Sequence, residues 1–533
     1  MFNRRVVRSV RILWIFLSCF FLLGTTLVLL ATASFGPGIS GDAVDYLSTA
    51  DNLARGRGFI DYAGDPYLYW PPLYPILLAA PRWLAGVDTL VTGRLLNALS
   101  FGLVVALTAL LFRRTFPDEP LWMPIGGLTA LCSISLLRLA ANIDSDVLFI
   151  LLVLVYTLLA SSYLETRHPG DLWGMTLVSG LAAVLRWSGV VLVATMVVSV
   201  LIAGRANFKL ALRSSLFFGA LASLPFTVWV VGRNYLLLGT FLGARRVKGI
   251  LVMENLNDSL SRMSHWLLPR LLTDRITFWA FLVLGLIFLL LLNRGSDWNR
   301  FIRRLVSPTY IPYWIFTAIY LVFILLTTLS ADHPGFYDDR YQAPLYPFVM
   351  LFLGLVADEL IMPHLRRMKM LQGWRLPVAR IVLLGGFCIW LIFPAFGVYK
   401  YVLVSQAVGD TSYNLYNTPA FRNSQLVSFL MNMEFEPGTK LYSNYPAAAY
   451  YFLRRETLHS PNTPMSRRPD EKYLKENYAD WPATEKAYVI WFKPNNWNDY
   501  FKPRDLKPVA EMTPIYKSLD GDVWLAEKMA SSK

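Results

Sequence analysis

Long apolar runs recur along most of the chain. A helix needs roughly 20 residues to cross the hydrocarbon core of a bilayer, and ten runs of suitable length lie near residues 12–33, 95–112, 121–137, 147–164, 187–203, 214–234, 276–292, 309–329, 343–362 and 378–399. A shorter apolar stretch at 172–185 belongs to a hairpin with basic loops on both sides, and we count it as an eleventh crossing. The pattern predicts a mainly α-helical, polytopic membrane protein with about eleven transmembrane helices.

The loop after the first run, residues 34–91, carries two shorter helical patterns. Apolar residues recur at three- and four-residue steps from Val44 to Ala54, and the opposite face is polar. This spacing is typical of a helix that lies in the membrane interface. Asp42 is suited to cap the start of this helix. A second apolar and aromatic pattern from Trp70 to Leu84 begins with prolines, which a helix tolerates in its first turn.

The composition changes near Tyr401, where charged residues, Asn and Pro become more frequent and no later run reaches crossing length. We predict a membrane domain at 1–400 and a small extracytoplasmic α/β domain at 401–533. The elements predicted for the second domain are strands at Lys440–Ser443 and Ala487–Phe492, helices at Phe421–Met433 and Ala447–Arg454, and a hairpin at Ile515–Leu525 that turns at Asp520-Gly521.

Composition supports the membrane class. The 533 residues are 55% hydrophobic and 16% charged, whereas roughly 25% of the residues of a typical soluble protein are charged. These values exclude a soluble enzyme, a disordered regulator and a secreted disulfide scaffold. Cys19, Cys132 and Cys388 all lie in apolar runs, where cysteine is typical of a small buried hydrophobic residue.

The formal net charge of +14 reflects basic loops between the crossings. Basic loops stay in the cytoplasm, and the loops concerned carry Arg113 and Arg114; Arg167; Arg205, Lys209 and Arg213; Arg294, Arg300, Arg303 and Arg304; Arg366, Arg367, Lys369 and Arg375. We therefore expect a cytoplasmic N-terminus, with residues 34–91 and 401–533 outside. Because the cations do not gather on one solvated face, no nucleic-acid partner is expected.

Several acids and arginines fall on the predicted outer face, although they are far apart in sequence. They are Asp42 after the first crossing, Asp144 and Asp146 in a short loop, Arg186 at a hairpin tip, and Asp332, His333, Asp338, Asp339, Arg340 and Tyr341 in the loop 330–342. Ionisable groups at membrane depth are costly and functional by default.

Three alternatives remain open for these groups. A carboxylate fixed where a crossing meets an interfacial helix suits a general base, but Asp42 is equally suited to serve only as a helix cap. The arginines suit a structural role as partners of the acids. Asp144 and Asp146 offer the oxygen ligands of a hard divalent metal, but we predict no cofactor, and the lone His333 is a poor zinc ligand.

These motifs and their order resemble those of the GT-C membrane glycosyltransferases. Within that group they are most similar to the branch of dolichyl-phosphate-mannose:protein mannosyltransferases and aminoarabinose transferases (family 39-like). The resemblance covers about residues 10–400. It rests on Asp42 and Tyr46, on the motifs Ala54–Phe59 and Trp70–Pro75, on Ser145–Phe149 after the third crossing, and on Arg340-Tyr341 with Pro344 and Pro347.

The resemblance implies an enzyme that moves a hexosyl or pentosyl group from a polyprenyl-phosphate donor to a lipid, glycan or protein acceptor in the cell envelope. Asp42 would be the catalytic base and Asp146 would assist it. Arg340 or Arg186 would bind the donor phosphate, and Tyr46, Tyr341 and Asp144 would contact substrate. The main alternative is a transporter or flippase of a lipid-linked saccharide, because charged residues facing a central cavity also suit transport.

Overall fold

The computed structural model describes residues 2–239, 241, 261–268, 279, 282–287, 290, 294–330, 339–367, 375–409, 416–463, 471–493 and 499–529. The helices up to residue 229 are α1 (Phe2–Ala31), α2 (Gly41–Ala54), α3 (Leu73–Ala85), α4 (Thr89–Thr115), α5 (Trp122–Leu131), α6 (Ile134–Ala141), α7 (Asp146–Thr166), α8 (Pro169–Leu185), α9 (Val190–Ala203) and α10 (Phe208–Trp229). Single turns at Trp187–Gly189 and Arg205–Asn207 precede α9 and α10. A π-helical turn, Val230–Tyr235, extends α10 to Leu236–Leu238.

The later helices of the bundle are Gly295–Leu305, Ile311–Ser330 and Arg375–Val408, together with the consecutive segments Asp339–Gln342, Ala343–Leu345, Tyr346–Val356, Ala357–Ile361 and Met362–Arg367. Among the described residues, six helices are long and apolar enough to cross a membrane, and α5 with α6, bent by 52°, makes a seventh if the pair is one broken span. Three shorter apolar helices coincide with the predicted crossings near 172–185, 187–203 and 309–329. The mainly helical, polytopic class is confirmed, while most of the crossing predicted at 276–292 lies outside the described residues.

Helix α4 lies at the centre of the first half of the bundle, where it packs closely against α1. A Cβ atom on Gly102 would lie 2.3 Å from Thr25 Oγ1 and 2.5 Å from the carbonyl oxygen of Phe21. Only glycine allows the two helix backbones to approach this closely, as is common where membrane helices pack through small residues.

The C-terminal region contains a five-stranded sheet with the order β2-β1-β3-β5-β4. The strands are β1 (Lys440–Ser443), β2 (Thr457–His459), β3 (Lys486–Phe492), β4 (Ala510–Lys517) and β5 (Gly521–Lys528). Strand β1 is parallel to both β2 and β3, whereas β5 is antiparallel to β3 and β4. The short helices of this region are Pro419–Arg422, Gln425–Asn432, Pro446–Leu453, Glu471–Asn477 and Pro503–Leu506.

Both predicted strands, the helix predicted at Ala447–Arg454 and the hairpin that turns before Gly521 are confirmed. The helix predicted at Phe421–Met433 is instead two short helices, Pro419–Arg422 and Gln425–Asn432, because Ser424 is extended and caps the second helix. The last long helix runs to Val408, beyond the boundary predicted at residue 401. The division into two domains stays a prediction.

Helix α2 forms in the first loop as predicted, but its polar face is not open to water. Ser48, Thr49, Asp51 and Asn52 are buried. The helix Pro446–Leu453 of the C-terminal region packs against α2, and the Thr457 amide donates a hydrogen bond to the Tyr62 carbonyl oxygen at 3.0 Å. The C-terminal region therefore covers the loop, and α2 differs from an interfacial helix with a solvated polar face.

Candidate active site

Asp42 lies in the first turn of α2, but it does not cap the helix. The cap is Ser40, which has an extended backbone (φ −94°, ψ 179°) and accepts a hydrogen bond from the Ala43 amide through its hydroxyl at 3.2 Å. The prediction that Asp42 is the cap is wrong, because the chain enters the helix two residues earlier. The Asp42 carboxylate is therefore available for contacts outside its own helix.

The short segment that carries Asp144 and Asp146 is fixed by backbone and amide contacts. The Gly38 amide donates to the Ala141 carbonyl oxygen at 2.8 Å, and the Ile143 amide donates to the Gly38 carbonyl oxygen at 3.0 Å. The buried Asn97 side chain of α4 donates to the Asp144 carbonyl oxygen at 3.1 Å. These contacts hold the two aspartates beside the start of α2.

Arg340 joins all three acids. Its Nη1 lies 3.2 Å from Asp42 Oδ2, its Nη2 lies 2.5 Å from Asp144 Oδ2, and its Nε lies 3.0 Å from Asp146 Oδ2. The structure thus brings together residues from three separate parts of the chain, as the sequence predicted for Asp42, Asp146 and Arg340.

Arg186 approaches the same acids from another direction. Its Nη1 lies 2.6 Å from Asp146 Oδ1 and 3.4 Å from Asp144 Oδ1. Asp146, whose side chain is 3% exposed, therefore contacts one arginine through each carboxylate oxygen. Charge-assisted pairs of this kind are strong and directional, so Asp146 fixes the separation of the two guanidinium groups.

The tyrosines predicted to contact substrate occupy different environments. Tyr46 is buried, and its ring packs edge-on against Tyr74 with centroids 4.9 Å apart. Tyr341, next to Arg340, is partly buried. Asp339, on the other side of Arg340, accepts a hydrogen bond from Ser135 at 3.1 Å and lies 3.4 Å from Arg262. Asp332, His333 and Asp338 lie outside the described residues.

The described residues contain no group of three or more His, Cys, Asp or Glu side chains placed to hold a metal ion. The carboxylate oxygens of Asp144 and Asp146 face two guanidinium groups, and cations so close would repel a metal ion. This arrangement favours arginine as the positive partner of the two acids.

Asp45 follows Asp42 by one turn on α2, and sequence reasoning placed it only on a polar face. Burial, together with the negative charges of Asp42 and Asp61, raises the pKa of Asp45 well above its usual value. Burial also raises the pKa of Asp61 to about 6, although the amides of Ala63 and Asp65 donate to its carboxylate. The three-residue spacing from Asp42 was the available signal for Asp45, because such residues share a helix face.

Asp51, near the far end of α2, was also not singled out from the sequence. Its side chain is 2% exposed and lies 3.0 Å from Arg82 Nη1 and 3.6 Å from Arg454 Nη1, and Thr89 donates a hydrogen bond to it at 2.9 Å. Arg454 follows the helix Pro446–Leu453 of the C-terminal region. Helix α2 thus contacts Arg340 at its first turn and Arg454 near its end.

The fold is similar to that of solved membrane glycosyltransferases. A crystal structure of ArnT from Cupriavidus metallidurans in the apo state superposes with a TM-score of 0.59 at 14% identity, over 96% of this chain and 97% of that chain. The structure of the same protein bound to undecaprenyl phosphate gives 0.57 at 13% identity, over 97% and 98% of the two chains. No family model and no curated protein sequence matches significantly. The chain has the fold of the GT-C glycosyltransferase superfamily. Within that superfamily, ArnT is a protein it resembles over nearly its whole length.

Proposed function

We propose that the chain is an integral membrane glycosyltransferase that moves a sugar from a polyprenyl-phosphate donor to an acceptor hydroxyl. The observation that carries the proposal is the convergence of Asp42, Asp144 and Asp146 on Arg340 and Arg186. A carboxylate for the acceptor proton and two guanidinium groups for a phosphate are the groups that this transfer needs. The full-length fold likeness to ArnT supports the same class.

The geometry supports the following roles. Arg340 and Arg186 bind the phosphate oxygens of the donor, since guanidinium groups recognise phosphate through paired hydrogen bonds. Asp42 takes the proton from the acceptor hydroxyl, whose oxygen attacks the anomeric carbon from the side opposite the phosphate. The carbon–oxygen bond to the phosphate breaks, and its electron pair leaves with the polyprenyl phosphate. The configuration at the anomeric carbon is inverted.

Donor binding also changes the state of Asp42. Arg340 contacts Asp42 at 3.2 Å, and a phosphate that binds Arg340 competes with this contact. A phosphate bound to Arg340 therefore leaves the Asp42 carboxylate available to contact the acceptor hydroxyl. Asp144 and Asp146 keep the arginines in position.

The proposed topology has eleven crossings, a cytoplasmic N-terminus, and both the site and the C-terminal region on the extracytoplasmic face. The distribution of basic loops supports this orientation. A polyprenyl-phosphate sugar partitions into the bilayer, so its reactive carbon lies at the membrane surface where α2 begins. The acceptor is a lipid, a glycan or a protein, and the transferred group is a hexose or a pentose.

The test uses purified protein in lipid nanodiscs with undecaprenyl-phosphate sugars that carry a radiolabel in the sugar. A glycosyltransferase breaks the sugar–phosphate bond and releases undecaprenyl phosphate in proportion to enzyme. Movement of the intact lipid between leaflets of liposomes, without bond cleavage, would contradict the proposal and identify a flippase.

A further inference from the structure

Tyr67 is a buried residue of the first loop with an unsatisfied hydroxyl. It is 2% exposed, and among the described residues its hydroxyl has no hydrogen-bond partner. Its backbone is held on both sides: the amide donates to the Phe59 carbonyl oxygen at 3.0 Å, and the carbonyl oxygen accepts from Arg233 Nε at 3.3 Å. Native proteins satisfy nearly all buried polar groups, so an orphaned hydroxyl requires an explanation.

The hydroxyl lies within the electrostatic reach of the candidate active site. Burial raises the pKa of Tyr67, and the neighbouring Tyr46 and the charges of Asp45, Asp42 and Asp144 raise it further. The phenol therefore keeps its proton at physiological pH. A protonated phenol offers one hydrogen-bond donor, and the hydroxyl of Tyr67 offers its donor in the same loop that carries Asp42.

Asp45 supplies the complementary acceptor. It is three residues after Asp42 on α2, so the two side chains share a face of the helix. No hydrogen bond or ion pair engages the Asp45 carboxyl group within the part of the chain that the structure describes. Asp42, in contrast, contacts Arg340. The first loop therefore holds both an unmet donor, the Tyr67 hydroxyl, and an unmet acceptor, the Asp45 carboxyl group one helical turn from the proposed base.

We propose that the Tyr67 hydroxyl and the Asp45 carboxyl group form a subsite that binds a hydroxyl group of a sugar. This inference rests on the proposed function. A sugar hydroxyl both accepts a hydrogen bond, here from Tyr67, and donates one, here to Asp45. A phosphate is attracted instead to Arg186 and Arg340, which contact Asp144 and Asp146 rather than Asp45. The site is thus divided into a cationic part for the phosphate and a part with Asp45 and Tyr67 for the sugar.

Tyr67→Phe tests the subsite, because it removes only the orphaned oxygen. In the absence of a ligand, no partner loses a hydrogen bond, so the unfolding temperature should be unchanged or slightly higher. Catalytic efficiency should fall roughly two- to tenfold, the scale of one neutral hydrogen bond. Tyr69→Phe, in an exposed tyrosine of the same loop, is the matched control and should leave both quantities unchanged.

Binding measurements identify which sugar is bound. Wild-type protein and Tyr67→Phe are titrated with undecaprenyl phosphate alone and with a panel of undecaprenyl-phosphate hexoses and pentoses. A loss of affinity confined to the sugar-bearing lipids assigns the subsite to the donor sugar. Unchanged donor affinity with a higher acceptor KM in the transfer assay assigns it to the acceptor.

Two outcomes overturn the inference. It fails if Tyr67→Phe lowers stability and activity in parallel, or if neither donor affinity nor acceptor KM changes. A wild-type protein that binds sugar-bearing lipids without transferring the sugar would contradict the proposed function. Loss of that binding preference in Tyr67→Phe would still support the subsite.

Discussion

Arg340 and Asp42 are 298 positions apart in the chain, yet their side chains lie 3.2 Å from each other. Arg340 also contacts Asp144 and Asp146. This single guanidinium group therefore links the acid proposed as the base to the two acids at the start of α7.

Replacement of Arg340 should weaken donor binding. Arg340→Gln removes the positive charge and leaves three acids beside Arg186, so the donor KM should rise about ten- to a hundredfold, the scale of a charge-assisted hydrogen bond. Steady-state kinetics with a radiolabelled donor measures the change. Arg57→Gln, in an exposed residue of the first loop, is the control. A donor KM equal to that of wild type would exclude Arg340 from phosphate binding.

Asp42→Asn should abolish most of the transfer without weakening donor binding. Loss of a general base costs about 10²-fold or more in rate, whereas one fewer negative charge beside Arg340 favours an anionic donor. Single-turnover kinetics and donor affinity are measured on the same preparation. Asp65→Asn, in an exposed position of the same loop, should behave like wild type.

Ser40→Ala separates capping from catalysis. It removes the cap of α2 and should lower stability by about 1 kcal/mol, but the rate per folded molecule should stay near that of wild type. For the Asp42→Asn variant, near-normal turnover would exclude Asp42 as the base and leave Asp146 as the next candidate.

Arg454 should influence transfer through Asp51. Among the described residues, Arg454→Gln leaves the buried Asp51 with Arg82 and Thr89 as partners. Amide exchange in residues 41–54 should therefore become faster and kcat should fall, with donor KM little changed. Arg454→Lys should recover part of the loss. Arg455→Gln is the control, because Arg455 stacks on Phe435 within the C-terminal region. Unchanged exchange in α2 would refute the coupling.

The stability of the first loop should depend on pH through Asp61. Its folded-state pKa of about 6 lies above the usual value of 3.8, so the folded state binds the proton more tightly than the unfolded state. The resulting stabilisation is present below about pH 4 and is lost as pH rises through about 6. The difference in unfolding temperature between wild type and Asp61→Asn should therefore change across this range and level off above it. A difference independent of pH would contradict the shift.

The first loop and the C-terminal region should be accessible from the same, extracytoplasmic side. In a background without native cysteines, Arg57→Cys and Leu519→Cys should react with an impermeant maleimide on intact cells, because both positions are exposed. Asp118→Cys, exposed in a loop predicted to be cytoplasmic, should react only after permeabilisation. Labelling of only one of the first two positions would contradict the topology.

The sequence predicted most of the helices because crossing length is a local property. Strands β1 and β3 could also be predicted, because each is a short apolar segment between turn residues. The cap of α2 could not be predicted, because Ser40 and Asp42 are both good capping residues. Only the extended backbone at Ser40 shows which of them caps the helix. The contact between Asp51 and Arg454 was also missed, because nothing in either local sequence indicates a partner so distant. The acids and arginines of the site could be predicted only because each loop was assigned to one side of the membrane. This assignment groups residues on one face even when they are far apart in sequence.

Arg340 follows most of the predicted crossings, and this order affects biogenesis. While the ribosome is still producing the first three hundred or so residues, Asp42, Asp144 and Asp146 are already made, but Arg186 is their sole cationic partner among the residues of the site. A chain that has not yet reached residue 340 therefore holds the three acids of the site with one of its two arginines. In the proposed function, the second phosphate-binding group is added only late in translation, so we expect an unfinished chain to bind a polyprenyl-phosphate donor poorly.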